Sequence, residues 1–388
     1  MSTNSPAKLD IPFGRPYIDD AERNAVMDVL MGHVLTHGPN CHAFEEDFVK
    51  MMGGGSAVTT SNCMASLHLS WMDLGIGPGD EVLLPATTHV ATAHAAALTG
   101  AKPVFVDSDP ATGNMRLDDM AAKITPRTKG IGVVHYVGIP MDMVKVMTLA
   151  EKHGLPVVED CALAVGARVD GTHVGLFGHT GCYSFYPVKH ITCGEGGMLV
   201  SKSAETVKRI ADFRAFNYDR SAPGPKVPGL YDVKGLGMNY RMSEMQAAMG
   251  RVQLTKIDDI LARRKANFER LKSGVAGIPN VRLLDSTEPR LQQSHYCAIA
   301  IFEGPLATRR NNIALALNAR GIGTSVYYPH PVGRLSIYAK MYGYDPAGFP
   351  IATIMADQSI ALPCGPHLGT KEMDAIAESL ADIAKGMA

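Results

Sequence analysis

From about residue 57 to residue 201, short apolar, β-branched runs alternate with helix-length segments, and this alternation constrains the fold more than any other feature of the chain. The runs at 82–86, 103–107, 130–136, 156–160, 182–185 and 198–201 read as strands. Ala-rich or amphipathic segments at 90–98 and 143–153 lie between the earlier ones. Strands that alternate with helices predict an α/β architecture, a largely parallel sheet covered on both faces. Ligands of such sheets bind beyond the carboxyl ends of the strands. Residues 87–89, Asp160 and the segment after Phe185 each follow an apolar run directly, so they are the places to look for chemistry.

The region 201–216 reads as a helix, and a Gly/Pro/Tyr-rich loop at 217–237 leads to another helix at 243–254. The charged segment 256–273, with apolar residues every three to four positions, suits a long helix linking two domains. Beyond residue 278, strand candidates at 295–302 and 324–328, a helix at 308–319 and a terminal helix from 371 predict a smaller α+β domain. The expected division is therefore 1–255 and 256–388. Thirty-seven Lys+Arg against 38 Asp+Glu supply no electrostatic footprint for nucleic acid or an anionic membrane. Seven scattered cysteines without a CxxC pair predict no zinc ribbon and a reducing, cytoplasmic setting. The N-terminal segment lacks the basic and apolar regions of a secretory leader, and no stretch has the length of a membrane span.

A dinucleotide site would be the default for this alternation, but no G-x-G-x-x-G follows a strand, and GLFGHTG has the wrong spacing. Instead an acid ends a strand at Asp160, and Lys189 follows 29 positions later in SFYPVK, just before the glycines Gly194, Gly196 and Gly197. Pyridoxal phosphate needs such parts: a lysine amine for its aldehyde and a carboxylate to keep its ring nitrogen protonated. The glycines are expected to let the backbone pass close to that lysine. The run Thr59–Leu67 puts hydroxyl and amide residues at the start of a predicted helix, where free N–H groups and the helix dipole favour a phosphate. Ser184 can add a hydroxyl.

With these residues in place, the chain resembles the DegT family of pyridoxal-phosphate sugar aminotransferases almost end to end. The similarity runs through Gly38-Pro39, PVFVDSDPATGN, VVEDCALAVGA, SFYPVKHITCGEGG, GMNYRMSEMQAAMG and YYPHP. The resemblance implies the aspartate-aminotransferase-like fold (fold type I) and pyridoxal 5'-phosphate as cofactor. It implies that Lys189 bonds the cofactor, Asp160 its ring nitrogen, and Ser184 with the backbone of Cys63 and Met64 its phosphate. Asn239 matches the asparagine that reaches the cofactor phosphate of a neighbouring subunit, so a homodimer with shared active sites is implied. The reaction implied is transfer of an amino group, from L-glutamate, to a keto group of a sugar or nucleotide-linked keto-deoxysugar.

Several positions depart from the family pattern. His89 replaces an aromatic residue stacked on the ring, and Leu163 a Gln or His facing the phenolic oxygen. Met64 replaces Thr or Ser, Ile139 a Gln, and Gly333 a His. His135, Tyr328 and His330 remain as polar candidates for substrate contact. His190 and Cys193 lack a second ligand pair, so no metal site is expected. Relatives that dehydrate deoxysugars carry histidine at the lysine position; Lys189 favours transamination here. A ketosugar dehydratase and a non-catalytic binding or regulatory protein that keeps the fold stay open as alternatives.

Overall fold

The computed structural model describes residues 9–219, 227 and 229–387; the first eight residues and positions 220–226 and 228 of the expected 217–237 loop lie outside the described residues. Along the described chain run strands β1 (Ser56–Thr60), β2 (Glu81–Pro85), β3 (Lys102–Val106), β4 (Thr128–Val134), β5 (Val157–Asp160), β6 (Arg168–Val169) and β7 (Thr172–His173). They are followed by β8 (Thr180–Ser184), β9 (Gly197–Ser201), β10 (Val281–Leu283), β11 (Leu291–Gln292), β12 (Ala298–Phe302) and β13 (Ser359–Leu362). Seven of them form one sheet in the order β1-β9-β8-β5-β4-β2-β3. The pairs β2–β3, β2–β4, β4–β5 and β5–β8 are parallel, while β9 is antiparallel to both β8 and β1. Every residue of β2, β5, β8 and β9 is buried, as a sheet covered on both faces requires.

The topology places the carboxyl ends of β1, β8, β5 and β4 at one edge. Thr60 and Ser184 both face Gly197 across β9, and Asp160 lies between Val134 and Cys182. One face of the sheet packs on Phe44, Phe48, Tyr183 and Phe185, the other on Trp71, Leu67, Leu69 and the alanines of the helix Val90–Ala97.

The helices Glu244–Thr255 and Ile257–Val275 lead to the second unit. There β10, β12 and β13 form a small antiparallel sheet against the helices Arg310–Ala319 and Thr370–Met387. The expected strand at 324–328 does not form. Ser325 exchanges one pair of backbone hydrogen bonds with Ala361, at 3.2 and 2.8 Å, and the chain then turns inward so that Tyr327 and Tyr328 join the aromatic cluster around Tyr136. Residues 9–11, grouped by the sequence with the first unit, instead bond to Arg320 and Gly321 at 3.0 Å, and Ile11 packs beside Ile322. Among the described residues no helix is long and apolar enough to cross a membrane, and all seven cysteines are free and buried.

The middle of β8 tolerates no side chain at Gly181: an added Cβ would lie 2.2 Å from the Gly175 Cα, a backbone atom that cannot swing away. Gly181→Ala is expected to destabilise the fold by about 3 kcal/mol in urea unfolding. Gly277→Ala, with open space around the added carbon, should change stability by less than about 1 kcal/mol.

Candidate active site

Four strand ends supply the site. Beyond β1, Asn62 caps the helix Cys63–Asp73, its Oδ1 accepting from the Ala65 amide at 2.9 Å. The Cys63 and Met64 amides open this helix and have no intrahelical acceptor. Thr60 Oγ1 donates to the Asn62 carbonyl at 3.0 Å and lies 2.7 Å from Ser66 Oγ, which fixes the loop. A Cβ at Gly197 would lie 2.5 Å from both Asn62 C and Thr60 Oγ1, so only glycine lets β9 run this close beneath the loop. On the far side of Gly197, Ser184 Oγ accepts from the Tyr186 amide at 3.4 Å, leaving its own proton for another acceptor. Two helix-opening amides and a hydroxyl form a cradle for an anion.

At the end of β5, Asp160 is 6% exposed. Its Oδ2 accepts from the Thr92 hydroxyl at 2.7 Å; its Oδ1 accepts from the Ala162 amide at 3.0 Å and, at 3.8 Å, from the Cys63 thiol, which it shares with the Cys182 carbonyl at 3.4 Å. Burial, with the Asp160 charge adding, holds that thiol well above its usual range, so it is a neutral donor. Lys189 sits in the turn after β8, its amide bonded to the Tyr186 carbonyl at 2.9 Å and its Nζ 5.3 Å from the centre of the Tyr296 ring. Loss of water around the amine lowers its pKa, against the opposing pull of Cys63 and Asp160.

The neighbouring His190 is buried and donates from Nε2 to the Ser294 carbonyl at 2.9 Å; burial holds the ring neutral. His89 caps the helix Val90–Ala97 through Nδ1, 3.2 Å from the Ala91 amide, and lies edge-on to Tyr328 with ring centres 5.7 Å apart. Its imidazole is shifted down, first by desolvation and then by the Lys189 charge. Asn239 is exposed, on a segment tied to the cradle by the Ser61 amide donating to the Tyr240 carbonyl at 2.7 Å. Met64 is half-buried against the apolar core, and Leu163 is buried with Tyr136, Ile139 and Tyr296, which offers no polar contact.

The structure corrects two expectations. His135 cannot face a substrate: it is 0% exposed, its Nδ1 accepts from the Met141 amide at 3.1 Å, and its Nε2 lies 3.2 Å from Glu159. The glycines after Lys189 do not pass beside it: Gly196 packs on Cys193 and Met242, Gly197 on the cradle loop, and Gly194 faces open space. Of the other substrate candidates, Tyr328 is half-buried, and burial, with the Tyr327 and Asp160 charges adding, holds its phenol well above its usual range. His330 is exposed and accepts from Arg334, which also pairs with Asp357. The cluster His135, Glu159 and Cys161 has ligand-like spacing, but Glu159 already accepts from the Gly175, Phe177 and Gly178 amides at 2.7–2.8 Å. Sequence reasoning missed Thr92 and Tyr296. The four-residue spacing of Thr88 and Thr92 across a helix start is a weak signal for the first, and none stands out for the second.

These groups fit pyridoxal phosphate: the Cys63 and Met64 amides with Ser184 for the phosphate, Asp160 for the ring nitrogen and Lys189 for the aldehyde. Because desolvation penalises the ammonium, the neutral amine of Lys189 should persist to lower pH than in a solvated lysine, whose pKa is about 10.4. Reductive methylation of the cofactor-free protein across a pH series, read by peptide mass spectrometry, should give Lys189 a midpoint below those of the exposed lysines. An equal or higher midpoint contradicts this.

Residues 16–381 match the sequence profile of the DegT/DnrJ/EryC1/StrS aminotransferase family. The chain is 32% identical over 380 residues to the spore coat polysaccharide biosynthesis protein SpsC of Bacillus subtilis (strain 168), covering 97% of each. Among solved structures, the aminotransferase TlmJ from Streptoalloteichus hindustanus superposes with a TM-score of 0.89 at 31% identity, covering 97% of this chain and 99% of that one. The putative sugar aminotransferase Spr1654 from Streptococcus pneumoniae, in its PMP form, gives 0.93 at 28% identity over 98% of this chain and 100% of that one. The expected fold and cofactor are thus borne out, and the chain belongs to the DegT/DnrJ/EryC1/StrS aminotransferase family of pyridoxal-phosphate-dependent enzymes.

Proposed function

We propose that this aminotransferase moves an amino group from L-glutamate to a keto group of a sugar or nucleotide-linked keto-deoxysugar, and that it works in the cytoplasm as a homodimer with shared active sites. The observation that carries the reading is the meeting of Lys189, Asp160 and the Cys63–Met64–Ser184 cradle at adjacent strand ends. Likeness to a protein of polysaccharide biosynthesis supports a sugar acceptor. Seven unpaired cysteines support a reducing compartment.

Pyridoxal phosphate supplies the carbonyl that takes up the amino group and the ring that accepts electrons from the donor carbon. The chain's residues supply the rest. Lys189 Nζ, held toward its neutral form, takes the proton from the donor α-carbon. Asp160 keeps a proton on the ring nitrogen through charge and hydrogen bonding, and the cradle anchors the phosphate so that Lys189 and the reacting carbon stay in register. Tyr328, whose ring centre lies 5.7 Å from that of His89 beside the cofactor site, and the exposed His330 are the candidates for acceptor contact.

Asn239 and its surroundings support the dimer. Met31, Leu230, Tyr231 and Leu236 are largely exposed, Leu236 at 91%, and the Thr36–Ser243 bridge ties the first of these segments to the stretch after Asn239. Exposed apolar side chains of this kind are what a subunit interface would cover, which supports the dimer.

Lys189→Ala should abolish the visible cofactor band and amino transfer together. Adding L-glutamate to the wild-type enzyme should bleach that band; release of water from a ketosugar without net amino transfer would instead favour the dehydratase reading. Asn239→Ala alone should weaken transfer. Mixed in equal amounts, refolded Lys189→Ala and Asn239→Ala protomers should regain roughly a quarter of wild-type sites by random pairing. No recovery would count against sharing of the site.

A further inference from the structure

Asp160 is held by an arrangement that the general chemistry of the cofactor does not require. Thr92 is 1% exposed and Thr88 2%, and their hydroxyl oxygens are 2.8 Å apart; Thr92 Oγ1 then lies 2.7 Å from Asp160 Oδ2. Thr92 is the third residue of the helix Val90–Ala97. A threonine inside a helix commonly turns its hydroxyl back to the carbonyl four residues earlier. Here that residue is Thr88, outside the helix, and the hydroxyl reaches across to the end of β5 instead. Its β-branched side chain has little rotamer freedom with which to leave.

Proton counting fixes the direction. A carboxylate only accepts, so the single Thr92 proton goes to Asp160, and the contact between the hydroxyls must be a donation from Thr88 to Thr92. Oδ1 is held separately by the Ala162 amide at 3.0 Å. With a donor fixed on each oxygen, the carboxylate cannot turn about its last bond, and its plane is set before any ligand arrives.

We propose that Thr88 and Thr92 form a one-way hydroxyl relay that orients Asp160 toward the cofactor's ring nitrogen, Thr92 being a positioning residue for the transfer reaction. The inference rests on the role given to Asp160 above. A merely packed core hydroxyl would leave the cofactor's properties unchanged when replaced by an isostere.

The test uses the full-length protein loaded with pyridoxal phosphate. Thr92→Val, Thr92→Ser and Thr88→Val are compared by cofactor dissociation constant, by the pH midpoint of the visible band, and by kcat against KM for glutamate. A hydrogen bond to a charged group is worth about a tenfold to hundredfold change. Thr92→Val should weaken cofactor binding about tenfold, move the band's midpoint and lower kcat with KM nearly unchanged. Thr92→Ser should restore all three to within about twofold, and Thr88→Val should shift them in the same direction by less. In an Asp160→Ala background, Thr92→Val should have no further effect on the dissociation constant. Should Thr92→Val not fold, Thr88→Val carries the same expectation. An unmoved band and dissociation constant, or an undiminished effect in the Asp160→Ala background, would overturn the relay. A wild-type protein without a visible band would instead remove the cofactor assignment, and the relay with it.

Discussion

A carboxylate at the end of a fully buried strand must be given donors or it will not stay there, and the site is arranged around that demand at Asp160. β5 lies between β4 and β8, so its last residue is enclosed laterally by Val134 and Cys182. Donors then have to come from above and below: Thr92 from one helix, Cys63 from the start of another, and Ala162 from the chain's own continuation. Each helix is positioned by the strand that precedes it. The parallel topology therefore does more than bury apolar surface, since it brings the start of two helices to one acid.

The same economy appears around Lys189. Tyr296, which precedes β12 in the second unit, presents its ring 5.3 Å from the lysine Nζ, while its carbonyl accepts from Arg264 Nη1 at 2.7 Å. Arg264 belongs to the helix Ile257–Val275 that joins the two units. The environment that desolvates the lysine is thus partly built by the second unit, which ties the chemistry of the large sheet to the seating of the smaller one.

Much of this was legible in the sequence where the signal is local. β-branched runs between turn residues gave the large sheet, and the rule that ligands gather at strand ends then singled out Asp160, Lys189 and the Thr59–Leu67 run. What remained hidden depends on direction and partners. The stretch 324–328 has strand-like composition but only Ser325 pairs, because Tyr327 and Tyr328 bury their rings elsewhere. His135 is polar and lies at a strand end, yet it turns inward to Glu159, and no periodicity reports such a turn. Gly196 and Gly197 are explained by close approach to Met242 and Asn62, residues far from them in the chain. Thr92 reads in sequence as one more small residue in an Ala-rich helix, and only the fold brings it 68 positions along the chain to its acceptor.

Glu159 and Asp160 are adjacent acids that point to opposite faces of the sheet, as successive strand residues must. One gathers the Gly175, Phe177 and Gly178 amides and the His135 ring; the other gathers Thr92, Ala162 and Cys63. A slip of β5 by a single residue would put Glu159 in the place of Asp160 and Val158 in the place of Glu159, leaving three amides without an acceptor on one face and a longer carboxylate crowded against Thr92 on the other. The strand therefore carries its own proofreading: a chain that misaligns its catalytic acid also forfeits a set of buried hydrogen bonds far from the cofactor, so errors in chemistry are weeded out as errors in folding.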